Sequence, residues 1–118
     1  MMSCRTFRYF MVKSDIVFIQ HIKDAISAIQ EHVHSITRKK FMESKLIQDA
    51  VVREIEIIGE ASNRLSIEFQ EKHPSIPWHA IIGMRNQLIH GYFEVDLNEV
   101  WKTIEKDIPE LEQVLKTL

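Results

Sequence analysis

The chain has 118 residues, of which 45% are apolar and 27% are charged, with only three glycines and three prolines. These values predict one globular domain and exclude a disordered chain, which would have fewer apolar residues or a larger net charge. The net charge of −2 counts against a broad nucleic-acid-binding surface. With one cysteine, no secretory leader pattern and no apolar run of about 18 residues, we expect a cytoplasmic protein without membrane attachment.

The first predicted helix begins after Ser14, a residue suited to N-capping, with Asp15 in its first turn. Apolar residues then recur every three or four positions, at Ile16, Ile19, Ile22, Ile26, Ile29 and Val33. Residues 1–12 lie outside this pattern and are interpreted as an N-terminal extension or tail, which leaves residues 13–118 as the domain. The basic run Arg38-Lys39-Lys40 is interpreted as a solvated loop, with phosphate contact as the alternative.

A second helix is predicted from about Phe41 to Phe69. Its expected buried stripe consists of Ile47, Val51, Ile55, Ile58, Ala61, Ser62, Leu65 and Phe69. Gly59 lies inside this helix, where glycine costs about 1 kcal/mol relative to alanine. We expect that a neighbouring helix approaches the backbone closely at Gly59, and a functional role is the alternative.

Pro74 and Pro77 end the second helix, and the third is predicted from about Pro77 to Ile89. Gly91 follows in the place of a helix-ending glycine. Asp96 is expected to cap a fourth helix that continues to the C-terminus and is kinked or split at Pro109. The four stripes predict an all-α, antiparallel four-helix bundle.

Several kinds of chemistry are absent from the sequence. It contains no Gly-rich phosphate loop, no pair of cysteines and no His-Glu-x-x-His motif, so we expect neither a cofactor nor a metal. His32 and His34 are two residues apart and would point to different sides of a helix. The remaining isolated residues are interpreted as surface or capping histidines (His21, His73 and His79) and as core anchors (Trp78 and Trp101).

One segment concentrates the residues that carry chemistry. Arg85, His90 and Tyr92 fall within the eight residues Arg-Asn-Gln-Leu-Ile-His-Gly-Tyr, at a predicted helix end. An arginine can hold a phosphate and stabilise the added charge of a transition state, and a histidine can exchange a proton near neutral pH. Together they can cleave RNA without a metal. The alternative is structural: Arg85 in a salt bridge with Glu56 or Glu60, and His90 as a helix cap.

Helix geometry separates the two proposed catalytic positions. Five residues along an ideal helix leave Arg85 and His90 about 140° apart around its axis. Either the helix loosens before His90, or each site combines residues from two chains. We favour a symmetric dimer with the site in a cleft on the two-fold axis.

At these residues the sequence resembles the HepT-type toxins of the HEPN superfamily, whose mark is Arg-x4-His-x-Tyr with a polar residue, here Asn86, after the arginine. The likeness covers about Met11 to the C-terminus. It extends to the segments Glu56-Ile-Ile-Gly59-Glu60-Ala61, Pro74-x-Ile-Pro77-Trp78 and Val95-Asp96-Leu97-x-x-Val100-Trp101.

The resemblance implies a HEPN-like bundle with metal-independent ribonuclease activity on cellular RNA such as tRNA or mRNA. Arg85 and His90 would be catalytic, and Asn86 would support them. The resemblance also implies the toxin of a type VII-like toxin–antitoxin pair, active as a homodimer. Its antitoxin would be a minimal nucleotidyltransferase that transfers AMP to Tyr92, alone or within a larger hetero-oligomer. Two alternatives stay open: a non-catalytic helical module that binds a nucleotidyltransferase or a nucleotide, and a plain dimeric scaffold.

Overall fold

The structure is a computed structural model that describes the backbone of residues 4–90 and 95–117 and the side chains of residues 14–86 and 95–117. The regular secondary structure of these residues is entirely helical, which confirms the predicted all-α class. The helices are α1 (Cys4–Val33), α2 (Arg38–Glu43), α3 (Lys45–Arg64), α4 (Ile67–Lys72), α5 (Trp78–His90), α6 (Leu97–Lys102) and α7 (Ile108–Leu115). A π-helical turn, Thr103–Asp107, joins α6 to α7.

Four rods form the bundle: α1, α3, α5 and the divided rod made by α6, the π-helical turn and α7. Helix α3 is central, because it packs along both α1 and α5, while α7 closes against α1. The apolar stripes of the rods meet in one core, where each fully buried isoleucine or leucine stabilises the fold by about 1.5–3 kcal/mol. Its most buried members are Ile22, Ile29, Phe41, Val51, Ile58, Val100, Leu111 and Leu115.

The predicted start of the first helix was wrong. Helix α1 begins at Cys4, so Ser14 lies within it and does not cap it. The helix continues upstream because no glycine or proline interrupts residues 4–33. Ile16, predicted as buried, is 58% exposed. The assignment of residues 1–12 as an extension outside the domain stays a prediction.

Asp15 occupies the inward position that Ile16 was expected to take. It is only 8% exposed. Its carboxylate accepts hydrogen bonds from the backbone N–H of Ser66 at 2.8 Å and from the Ser66 hydroxyl at 2.7 Å. These two bonds connect α1 to the junction between α3 and α4, and they orient the N-terminal half of α1.

The predicted second helix, Phe41–Phe69, is three helices, and the single-helix prediction was wrong. Ser44 caps α3 by accepting a hydrogen bond from the N–H of Ile47, and Ser66 caps α4 by accepting one from the N–H of Phe69. Serine competes with the helical backbone for such bonds, so each serine ends one helix and starts the next. The basic run 38–40 is exposed as expected, but it opens α2 and is not a loop.

The predictions for the C-terminal half are confirmed where the structure describes it. Helix α5 begins directly after Pro77, and the Asp96 carboxylate caps α6 by accepting from the N–H groups of Asn98 and Glu99. The C-terminal rod is divided, with Pro109 in the first turn of α7. Gly91 lies outside the described residues.

Both tryptophans are core anchors, as predicted. Trp78 is 8% exposed, and the Trp101 ring lies 5.2 Å from the ring of Phe41, which is fully buried. Among the described residues, no helix combines the length and the apolar character needed to cross a membrane.

Candidate functional site

Arg85 projects from the middle of α5 against the backbone of α3, and Gly59 makes this approach possible. A Cβ atom added at position 59 would lie 2.2 Å from the Cβ of Arg85 and 2.8 Å from its Cγ. Such distances are far below van der Waals contact, so any side chain at position 59 would displace Arg85. The prediction that a neighbouring helix approaches closely at Gly59 is confirmed, and the approaching group is the predicted catalytic arginine itself.

The guanidinium of Arg85 is held by two oxygen atoms. Its Nη2 lies 2.6 Å from Oε2 of Glu60 on α3, and its Nη1 donates to Oδ1 of the neighbouring Asn86 at 2.9 Å. The side chain of Arg85 is 28% exposed to solvent. The salt bridge considered as the alternative role of Arg85 therefore exists, and its partner is Glu60. Asn86, predicted as the supporting residue, contacts the guanidinium directly.

Glu60 also binds a second arginine. Its other carboxylate oxygen, Oε1, accepts a hydrogen bond from Nε of Arg64 at 2.9 Å. One carboxylate thus bridges two guanidinium groups, one from α3 and one from α5. Glu56 pairs separately with Arg53, whose Nη1 lies 3.5 Å from its Oε2.

These side chains line an open cleft of about 460 Å³ between α1, α3 and α5. Its volume is in the range of cavities that accept small organic ligands, and it is large enough for about one nucleotide. The lining residues are Phe18, His21, Arg53, Glu56, Ile57, Glu60, Ala61, Arg64 and Arg85. With three arginines against two glutamates, the cleft has a net positive charge within a chain whose net charge is −2.

No role in the site was predicted from the sequence for several residues of this cleft, among them His21 and Arg64. His21 was interpreted as an ordinary surface histidine, but it lines the cleft, with its ring 6.1 Å from that of Phe18 in an edge-to-face arrangement. Arg64 was treated only as a charged residue between the buried positions. Its spacing of four residues from Glu60 was the available signal, because residues i and i+4 share one face of a helix.

The second predicted catalytic position, residue 90, lies at the end of α5. The backbone is helical through His90, so the helix does not loosen before this residue, and that alternative is excluded. Positions 85 and 90 of α5 are therefore separated by about 140° around its axis. The side chain of His90 and the whole of Tyr92 lie outside the described residues. Among the described side chains, no group of three or more His, Cys, Asp or Glu residues is arranged to hold a metal ion.

The arrangement is suited to binding a polyanion. Arginine guanidinium groups bind phosphates through paired N–H donors, and they remain charged at any physiological pH. These features define an all-helical domain with a cationic cleft next to an Arg-x4-His helix. Residues 22–118 match the family described as "Ribonuclease HepT-like", and the chain belongs to this HepT-like ribonuclease family.

Named relatives agree with this assignment. The chain is 43% identical over 101 residues to "Probable ribonuclease HepT" of Thermococcus cleftensis, covering 86% of this chain and 92% of that protein. It is also 43% identical over 101 residues to a protein of Caldanaerobacter subterraneus subsp. tengcongensis named as a candidate RNase, covering 86% of this chain and 90% of that protein. No solved structure matches the chain.

A third relative is a longer protein. It comes from Methanocaldococcus jannaschii, is named as a γ-glutamylcyclotransferase and candidate RNase, and is 46% identical over 103 residues. The match covers 86% of this chain but only 46% of that relative. The cyclotransferase part of the name concerns that protein alone.

Proposed function

We propose that the chain is a metal-independent ribonuclease that cleaves cellular RNA such as tRNA or mRNA, with Arg85 and His90 as its catalytic residues. The observation that carries this proposal is the placement of Arg85. The family's motif arginine is partly exposed and fixed in a positively charged cleft, next to its polar neighbour Asn86. An arginine that served only to join α3 to α5 would not need a cleft or further arginines around it.

In the proposed reaction, the 2′-oxygen of a ribose attacks the adjacent phosphorus and the bond to the 5′-oxygen of the next nucleotide breaks. A histidine accepts the proton of the 2′-hydroxyl, and a second histidine donates a proton to the departing 5′-oxygen. Arg85 stabilises the extra negative charge on the phosphate oxygens during transfer. The products of this step are a 2′,3′-cyclic phosphate end and a free 5′-hydroxyl end.

A homodimer supplies the two histidines that this reaction needs. Positions 85 and 90 diverge around a continuous helix, so a site with both groups is more readily built from two chains than from one. Apolar surface next to the cleft supports such pairing: Ile16 is 58% exposed and Val17 is 48% exposed, directly before Phe18. We propose that these residues contribute to the dimer contact.

We further propose, from the resemblance to HepT-type toxins, that the protein is the cytoplasmic toxin of a type VII-like toxin–antitoxin pair. A nucleotidyltransferase antitoxin would transfer AMP to the hydroxyl of Tyr92 and release pyrophosphate from ATP, either as a simple partner or within a larger hetero-oligomer. The added phosphate would compete with RNA for Arg85. Intact-mass measurement of protein co-expressed with such an enzyme tests this directly, because a Tyr92→Phe variant should gain no AMP.

The test of the nuclease is cleavage of purified cellular RNA by Arg85→Ala and His90→Ala. We expect each substitution to reduce cleavage and growth inhibition by at least a hundredfold while the dimer survives. Lys45→Ala is the matched control, since Lys45 forms an exposed ion pair with Asp49 and is absent from the cleft lining. Full activity in either motif variant contradicts the proposal.

The second candidate is a non-catalytic helical module that binds a nucleotidyltransferase or a nucleotide. The Arg85–Glu60 ion pair favours it, because it gives the arginine a structural partner. Wild-type protein that binds such a partner tightly but never cuts RNA would support this alternative.

A further inference from the structure

Arg64 stands out among the cleft residues because it is held in place on two sides and still exposed. Its Nε donates to Glu60, and its guanidinium carbon lies 6.0 Å from the centre of the Phe18 ring, within the range of a cation–π contact. The side chain of Arg64 is nevertheless 61% exposed to solvent. A long side chain that is already positioned loses less conformational entropy when it binds a ligand.

The two arginines that share Glu60 form one cationic wall. Each uses a different oxygen of the same carboxylate, so both guanidinium groups lie next to one carboxylate within the cleft. A guanidinium carries five N–H donors, more than a single carboxylate oxygen can occupy. One carboxylate also compensates only one of the two positive charges. The wall therefore has both the donors and the net charge to bind a polyanion.

We propose that Arg64 binds a second phosphate of single-stranded RNA, adjacent to the phosphate held by Arg85, and that Glu60 keeps the two arginines at a fixed spacing. This inference rests on the proposed ribonuclease function and identifies the substrate as an extended RNA backbone. Arg64 is a substrate-binding residue in this arrangement, because the cleavage chemistry needs only the phosphate at Arg85. The two arginines contact phosphates and not bases, so this wall increases the affinity for RNA without giving a sequence preference.

The experiment measures binding of a 12-nucleotide 2′-O-methyl RNA, which lacks the attacking hydroxyl and is not cleaved. Fluorescence anisotropy at several KCl concentrations gives the Kd and the slope of log K against log[KCl]. Loss of one phosphate contact lowers the magnitude of this slope by about 0.7 for a single strand. We expect Arg64→Ala to show this change, with a Kd about fivefold higher at 0.1 M KCl. Arg64→Lys, which keeps the charge, should restore most of the slope.

Lys72→Ala is the matched control. Lys72 forms an exposed i,i+4 ion pair with Glu68, like that of Arg64 with Glu60, but does not line the cleft. Its removal should leave both the Kd and the slope unchanged. If Arg64→Ala behaves like Lys72→Ala, the inference is overturned, because a purely structural ion pair leaves the salt slope unaffected.

Cleavage kinetics separate this inference from the proposed function. Arg64→Ala should raise KM about fivefold on a cleavable RNA and leave kcat within twofold of the wild-type value, whereas Arg85→Ala should lose kcat. A normal KM and salt slope for Arg64→Ala alongside an inactive Arg85→Ala would overturn only the role of Arg64. A fully active Arg85→Ala would overturn the nuclease mechanism itself.

Discussion

Gly59 and Arg85 are in direct contact across the boundary between α3 and α5, with no room for a Cβ atom between the Gly59 backbone and the arginine side chain. The glycine therefore determines where the first methylene groups of Arg85 lie. Its partner Glu60, one residue further along α3, then determines where the guanidinium lies. Two consecutive residues of α3 thus position the proposed catalytic arginine.

Gly59→Ala should damage both stability and activity. Alanine favours a helix over glycine by about 1 kcal/mol, but the clash with Arg85 should outweigh this and leave a net destabilisation of about 1–3 kcal/mol. RNA cleavage should fall at least tenfold because Arg85 is displaced. Urea denaturation and a cleavage assay measure the two effects.

Gly83→Ala is the control for this substitution. Gly83 lies in α5, and among the described residues a Cβ there would meet no atom within 4 Å beyond its chain neighbours and the backbone of its own helix. The variant should be as stable as the wild type or more stable by up to about 1 kcal/mol, with normal cleavage. Equal behaviour of the two alanine variants would contradict the steric argument.

Glu60→Gln should separate RNA binding from catalysis. The neutral amide no longer competes with phosphate for Arg85 and Arg64, so we expect the Kd for 2′-O-methyl RNA to fall about threefold. The glutamine amide also holds Arg85 less firmly than the charged carboxylate does, so kcat should fall about tenfold. Glu56→Gln removes the same charge from the same cleft without releasing Arg85, and should tighten binding while kcat is retained. Weaker RNA binding by Glu60→Gln would contradict the expectation that the carboxylate competes with phosphate for the two arginines.

Asp15→Ala should cost about 2 kcal/mol of unfolding free energy, because it removes two hydrogen bonds to a buried carboxylate and leaves the Ser66 N–H without its acceptor. Asp24→Ala is the comparison, since Asp24 is exposed and, among the described residues, its side chain accepts a hydrogen bond only from Gln20. It should change the free energy of unfolding by less than about 0.5 kcal/mol. Equal effects in denaturant titrations would show that the bonds to Ser66 do not stabilise the fold.

Asp107→Asn should stabilise the protein at neutral pH. Burial raises the pKa of Asp107 above its ordinary value of 3.8, and the nearby Glu110 carboxylate raises it further. The raised pKa means that the folded state favours the protonated carboxyl, so ionisation costs stability as the pH rises through the folded-state pKa. Below the unfolded-state pKa both states are neutral, and the advantage of asparagine should disappear.

Melting temperatures at pH 7 and near pH 3 test this prediction. The Asp107→Asn variant should melt above the wild type at pH 7 and level with it at the acidic pH. Glu105→Gln removes an exposed charge from the same turn and serves as the control. An advantage of asparagine that persists unchanged at low pH would point to packing as its cause.

The sequence predicted features that depend on local spacing. The apolar stripes and the Asp96 cap follow from residues within a few turns of one another, and the close approach at Gly59 follows from the presence of a glycine inside a helix. The start of α1 did not follow, because Ser14-Asp15 is a sound capping signal in isolation. Asp15 is instead committed to Ser66, 51 residues away, which no local pattern reveals.

In the candidate site, too, local features were predictable from the sequence and contacts between distant residues were not. Arg85 and Asn86 could be named from the motif and are in contact in the structure. Arg64 and His21 could not, because their importance arises only when α1, α3 and α5 come together around one cleft. The sequence of a helix predicts which residues lie on the same face, but it does not predict which face packs against a neighbouring helix.

The π-helical turn before α7 affects which sequence changes the C-terminal rod can tolerate. In it, the N–H of Ile108 bonds to the carbonyl of Thr103, five residues back, so the turn holds one residue more than an α-helical turn. Deleting one residue between Thr103 and Ile108 would give a regular α-helical turn in which the N–H of Ile108 still bonds to the same carbonyl, so the helix beyond it would keep its orientation. Ile108, Leu111 and Leu115 would stay in the core, so homologous chains should tolerate the loss of one residue in this turn, whereas the same loss within α7 would turn the following apolar residues away from the core.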